Sequence, residues 1–440
     1  MRNYPAACLQ VPNVLIPIKS ISMEKWAIVA CDQFTSQPEY WDRVNLISEG
    51  SPSAFHLILP EAYLGTPKEK EHQSQIIPSM KSYLNSGLFE EFQGFIYVER
   101  TFGEKTRQGL IAALDLDQYD FHKDSQSLIR ATEGTIIERL PPRVEIREKA
   151  LIEIPHILVL IDDPQFTVIE PLAAEVRSLK NLYDFELMLS GGHIRGSLIN
   201  NIESEQKLIS ALGNLLDKDL KNKKYGTGSA PLLFAVGDGN HSLAAAKSFW
   251  EKIKGSASPD HPARFALVEI VNIHNNGIEF EPIHRLAKNV SFDIFDALSS
   301  FFPNEINIVN VQDFNSLAEQ IKIQSADSQL IGLVGKNLFQ VIELLKPLHT
   351  LPVGSLQFFL DELLLKQPEI SLDFIHGDDA LLQLASQPNN IGFYLPVMQK
   401  SSLFKSVIKD GPLPRKTFSM GEAQEKRYYL ECRKIRNDEP

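Results

Sequence analysis

Residues Gly237-Asp238-Gly239-Asn240-His241-Ser242 alternate two glycines with a carboxylate and a carboxamide, then add an imidazole and a hydroxyl. Before them runs APLLFAV, apolar and of strand length; after them runs HSLAAAKSFWEKIK, rich in helix formers and stopped by Gly255. A helix that starts straight out of a glycine turn presents backbone N–H groups without intrahelical partners and the positive end of its dipole, and glycine lets an anion come close. The pattern therefore predicts the phosphate site of an enzyme. Gly237, Gly239, Asn240 and Ser242 would bind phosphate, Asp238 and His241 would do chemistry, and Lys247 would reach back along the helix. A capped helix with a packed histidine and a solvated lysine is the plainer reading of the same residues.

Other residues qualify as partners. Asp32 ends the apolar run WAIVAC, where α/β sheets deliver polar groups to ligands. Arg130 and Glu133 open RATEGTIIERLPPR, which a surface ion-pair network would also explain. His193 and Arg195 lie in SGGHIRG, between glycines that suit either a ligand or a simple turn. Glu279, Glu281, His284 and Arg285 in GIEFEPIHR, with Arg415 and Lys416 in LPRKTF, are candidates for a substrate-binding rim. There is no G-x-x-x-x-G-K-[ST], and the glycine spacing is too short for a dinucleotide fingerprint. H-E-x-x-H and G-x-S-x-G are also missing, which argues against a tight zinc site and a serine nucleophile. Magnesium needs only one or two carboxylates when phosphates accompany it, and Asp238 is the natural one.

The elements that must position these groups read as α/β, from 440 residues that are 43% hydrophobic and 23% charged. Strands are expected at Trp26–Cys31, from Phe95, at Gly109–Leu116, in the apolar run Ile154–Ile161, from Ala230 and at Ala266–Ile273. Helices are expected over Ser79–Gln93, interrupted at Gly87, and over 201–222, and residues 290–400 alternate the two. Three parts follow: 1–130 as an N-terminal α/β part contributing to the core, 131–290 with the glycine turn, and 291–440 as a C-terminal α/β region with a basic tail. A net charge of −12 weighs against general nucleic-acid binding. Three dispersed cysteines, no signal-peptide pattern and no long apolar stretch point to a cytoplasmic protein with no membrane segment. Oligomeric state is left open.

LLFAVGDGNHSLAAAK resembles the D-G-H-H-R element of a large prokaryotic family of uncharacterised proteins related to the ParB/sulfiredoxin fold. That resemblance extends along nearly the whole chain through IVACDQFT, RATEGTIIERLPPR, GGHIRG, GIEFEPIHR and LPRKTF, in this order. It implies a ParB/sulfiredoxin-like core elaborated by large insertions. Free serine kinases of archaea carry a similar element, on thinner grounds. They imply a phosphotransferase acting on serine or O-phosphoserine in either direction, with ATP, ADP or pyrophosphate and Mg2+, and with Glu133 or Asp32 as general base. A ParB-like nucleotide-responsive or nucleic-acid-binding module and a non-catalytic small-molecule sensor are the alternatives. One position departs from the pattern: Ser242 stands where the family has arginine, so the planar fork that grips two phosphate oxygens must be replaced by a cation distant in sequence. Arg130, Arg139, Arg143, Arg195, Arg285, Arg415 and Lys416 are available.

Overall fold

The computed structural model describes residues 2–325 and 327–436. They form a mixed α/β structure in two compact units, Met1–Ile278 with Gly421–Pro440, and Glu279–Met420.

Nine strands carry the main sheet of the first unit: β1 (Phe95–Phe102), β2 (Lys105–Asp115), β3 (Tyr119–Asp120), β4 (Ile129–Ala131), β5 (Leu158–Ile161), β6 (Lys180–Glu186), β7 (His193–Ile199), β8 (Phe234–Asp238) and β9 (Phe265–Asn272). They lie in the order β6-β7-β1-β2-β9-β5-β8-β4-β3, and the short N-terminal strands Asn3–Tyr4 and Leu9–Gln10 join at β2. The sheet is covered on both sides, which explains why these strands are so apolar. Ile96, Val98, Ile111 and Leu267 face one core, with Trp26, Trp41 and Phe55. Phe95, Tyr97, Leu110 and Val268 face the other, with Leu243, Phe249 and Trp250 of the helix after β8.

The strand expectations at 95, 109, 230 and 266 correspond to β1, β2, β8 and β9. Elsewhere local chemistry divides what sequence reading joined. Ser79–Gln93 is the end of a helix, Lys68–Asn85, then a turn with Gly87 at φ 67°, then a strand, Phe89–Gln93, whose alternating FEEFQ pairs with Asn13–Pro17. The single helix expected over 201–222 is two, because Asp217 accepts from the N–H groups of Asp219 and Leu220 and starts a second one. Only Leu158–Ile161 of the run from Ile154 is strand, and Trp26–Cys31 yields only Ile28–Val29.

After the second unit the chain returns and is strapped across the first. Tyr428–Tyr429 pairs with Ile28–Val29, and Arg433–Lys434 pairs with Ile152–Glu153. Buried charges fasten this strap. Arg427 Nη1 lies 2.9 Å from Glu269 Oε2 as an ion pair, and its other nitrogen engages Glu431, which also accepts from the Tyr183 hydroxyl. Arg433 and Arg147 meet the Glu153 carboxylate, each at 2.7 Å, and the Leu267 N–H donates to it at 2.8 Å. Burial by itself would raise the Glu153 pKa, yet Arg433 and Arg147 hold it below the ordinary range.

In the second unit a seven-stranded antiparallel sheet places Phe280–Lys288 between Ser371–His376 and Ile391–Tyr394, with Phe418–Met420 on the same strand. Pro352–Lys366 is its longest helix among the described residues.

The depressed Glu153 pKa has a definite sign. Its stabilising share is complete above the ordinary value of 4.5 and is lost as pH falls through the lower folded value. Urea melts should show wild-type stability dropping below about pH 4.5. Glu153→Gln should lose about 3–5 kcal/mol at pH 7, because two arginines remain buried with their shared charge removed. A variant as stable as wild type at pH 7 would show that the strap is held by other contacts.

Candidate functional site

Strand β8 ends at Asp238 and α1 (Asn240–Ile253) begins after one residue. That residue is Gly239 at φ 78°, where a Cβ would meet Ile157 Cα at 3.0 Å, so both the backbone angle and the space demand glycine. Asp238 Oδ1 accepts from the Gly239 N–H at 2.8 Å. No side chain caps the helix start, so its first N–H groups are open to water or to a ligand. Asn240 is 9% exposed, and its Oδ1 is buried without a partner in the structure, an arrangement that costs about 1–3 kcal/mol unless something bonds it.

Strand β4 runs parallel to β8 with Ala131 opposite Val236, so continuing the register brings Glu133 to the level of Asp238. The loop after β4 is tied down twice. Thr132 Oγ1 donates to the Val236 carbonyl at 2.6 Å, and the Ile136 N–H donates to His241 Nε2 at 3.2 Å. His241 thus spends one nitrogen on holding RATEGT against the turn. Thr135 Oγ1 in this loop is also buried without a partner.

The cation at the turn is Lys426, whose Nζ lies 3.8 Å from Asp238 Oδ2 with both side chains largely buried. It arrives with the strap: the Ala30 N–H donates to the Arg427 carbonyl, so Lys426 falls beside Cys31 and Asp32. Asp32 is exposed, and its Oδ1 accepts from Gln33 Nε2 at 3.3 Å. Sequence reading placed the basic tail at Arg415 and Lys416 and passed over Lys426. Nothing local marks it, since its role comes from the pairing of residues about 400 positions apart.

The other sequence candidates lie elsewhere. Arg130 is buried, with its guanidinium on the carbonyls of Ser127 and Pro231. Lys247 binds the Leu116 carbonyl at 2.9 Å and Glu251 at 2.6 Å. His193 and Arg195 sit on β7, with four strands between it and β8, and Asp184 lies 2.7 and 3.8 Å from them. His284, Arg285, Arg415 and Lys416 belong to the second unit, with Glu279 and Glu281. There Arg285 is fully buried and donates to the Arg415 and Lys416 carbonyls and to Gln357. Burial pushes the His284 pKa down to about 4 against the pull of Asp378.

A cavity of about 200 Å³ opens at the turn, lined by Ser242 and Ala245 of α1 and by Cys31, Ile157 and Tyr429. Its charged lining is paired: Glu61 with Arg143, and Glu153 with Arg147. Burial and then Asp32 push the Cys31 thiol up to about 12, so it stays protonated near neutral pH and is no thiolate nucleophile. Among the described residues no group of three or more His, Cys, Asp or Glu is placed to hold a metal ion. No helix among them is long and apolar enough to cross a membrane.

These features define an α/β protein with an uncapped helix start, a carboxylate and a lysine gathered beside a largely apolar cavity. The chain belongs to the family described as "Protein of unknown function (DUF1015)", whose model matches residues 15–433. No curated protein matches it. Among solved structures it is similar to a free serine kinase in complex with AMP, at 11% identity and TM-score 0.37 over 76% of this chain and 94% of that one. It is also similar to a conserved hypothetical protein from Pyrococcus furiosus, at 12% identity and TM-score 0.35 over 76% and 98%. A third is SbnI with a C-terminal truncation from Staphylococcus aureus, at 10% identity and TM-score 0.34 over 71% and 82%.

The His241 bond to the loop gives a direct test. His241→Ala should speed amide hydrogen exchange at Ile136 and its neighbours about two- to tenfold, the worth of one hydrogen bond of roughly 0.5–1.5 kcal/mol. Unchanged exchange there would mean that the loop is held without the imidazole.

Proposed function

We propose that the turn holds a phosphate group and that the protein is a phosphotransferase acting on a small hydroxylated metabolite. The observation that carries this reading is Lys426 facing Asp238 at an uncapped helix start. Backbone N–H groups, the helix dipole and an ammonium group then converge on one anion, while Asp238, Glu133 and Asp32 supply carboxylates around it. Phosphoryl transfer asks for this combination of positioning and charge neutralisation. Lys426 takes the place of the arginine missing after His241, as a point charge rather than a bidentate fork.

In the step, the acceptor oxygen forms a bond to phosphorus as the bond to the leaving oxygen breaks. The leaving oxygen keeps the electron pair and is stabilised at the helix start. Glu133 or Asp32 takes the acceptor's proton, Asp238 orients the hydroxyl, and His241 holds the loop that carries Glu133. Asp238 would be the protein residue to hold a magnesium ion entering with the phosphates, which would supply charge neutralisation. ATP, ADP and pyrophosphate are the donors to try. Serine and O-phosphoserine are the acceptor pair that the sequence resemblance implies, on the ParB/sulfiredoxin-like core it also implies.

Purified protein incubated with magnesium, each donor and a series of hydroxyl compounds from serine to longer-chain alcohols should phosphorylate at least one of them or consume its phosphate ester in reverse. Asp238→Asn and Lys426→Met should each lower the rate by about 10²–10⁴-fold. No turnover with serine or with other small alcohols, in either direction, would sink the enzyme reading. Phosphate binding that persisted without turnover would make the protein a sensor.

A further inference from the structure

The cavity beside the turn has a composition that free serine does not match. Leu57, Ile58, Ile76, Met80, Ile146 and Ile154 form its walls, contributed by several separate segments of the first unit. Serine has no hydrocarbon to remove from water there, so its contact with these walls would gain little.

Beside the two ion pairs and Ser242, the lining holds one imidazole. His156 is 6% exposed, lines the cavity and packs edge to face on Tyr429 with ring centroids 5.1 Å apart. Its imidazole has no hydrogen-bond partner among the described residues. A histidine buried for packing alone ordinarily bonds at least one ring nitrogen to backbone or side chain, because leaving a buried polar group unmade is costly. Its place along the strand is also informative. Leu158 pairs with Asp238 in antiparallel register, so His156, two residues earlier, falls at the level where the chain enters α1. Ser242, in the first turn of that helix, lines the same cavity.

Resting on the phosphate reading, we infer that the acceptor is an amphiphile: a hydroxyl compound whose hydrocarbon part fills this cavity, with His156 hydrogen-bonding the oxygen that carries or receives the phosphoryl group. The neutral imidazole has one nitrogen to accept from an alcohol O–H and one to donate to an ester oxygen, so it serves the free and the phosphorylated compound alike. The paired charges in the lining leave no free ion to reject an apolar ligand. His156 touches the reacting oxygen here, while Ile58, Met80 and Ile154 select by exclusion of water.

Titration calorimetry on the full chain with inorganic phosphate and with methyl, propyl, butyl and hexyl phosphate tests this. Affinity should rise about fourfold for each added methylene until the cavity is full. His156→Leu should weaken butyl phosphate about tenfold and leave inorganic phosphate unchanged, and His156→Gln should recover most of the loss by restoring a hydrogen bond. Inorganic phosphate binding with no dependence on chain length overturns the inference and leaves the phosphate site standing. Displacement of butyl phosphate by adenosine, which has no phosphate, would assign the cavity to a nucleobase and also overturn it. Hexan-1-ol binding without any response to phosphate or its esters would keep the apolar ligand and remove the phosphate reading. Silence with every probe overturns both.

Discussion

Arg427 is buried between Glu269 and Glu431, and the arrival of Lys426 at the glycine turn depends on those ion pairs. The pairing is obligatory in both directions: an arginine taken out of water needs anions, and two buried carboxylates need a cation. Once Arg427 is fixed, Lys426 beside it has little freedom in where it points. Its ammonium group is delivered to Asp238 by a neighbour that never touches a ligand. Glu153 repeats the device a few residues on, through Arg433, so the strap is pinned on both sides of its short strand. The site is therefore held from behind by charge, while the apolar cores hold the sheet that carries it.

The two glycines of the turn do unequal work. Gly239 needs its left-handed backbone and its missing Cβ, because Ile157 passes directly beside it. That close approach is also what seats the segment before β5, and with it His156, against the start of α1. The turn that leaves the helix start uncapped thus also sets the wall of the cavity. Open N–H groups and apolar wall are consequences of one steric constraint.

Much of this arrangement could be read from the residues in order. The strand, glycine turn and helix at 230–255 are encoded by neighbours: an apolar run, residues that tolerate a left-handed backbone, then strong helix formers. Asp32 could be nominated because it ends an apolar stretch that a sheet would bury, and Glu133 because it stands in a charged loop between predicted elements. Lys426 could not, since its partner lies nearly 200 positions away and the residues around it resemble any polar tail. His156 was hidden for a similar reason, sitting inside the apolar run Ile154–Ile161, where it looks like an interruption. Arg130 shows the converse: it stands in a suggestive motif, yet its guanidinium closes the chain's own carbonyls. Charge that folds back on backbone and charge that faces a ligand look the same until the chain is in three dimensions.

The first unit is made of two stretches of chain, interrupted by Glu279–Met420. During synthesis the turn, its loop and most of the sheet emerge long before the strap does. At about 5–20 residues per second, the roughly 140 intervening residues take on the order of 7–30 seconds to make. Through that interval Asp238 has no lysine, and Glu269 and Glu153 lack their strap arginines. The nascent first unit holds Glu269 with Arg107 and Glu153 with Arg147, while Asp238 waits for its lysine. The glycine turn is made early and completed late.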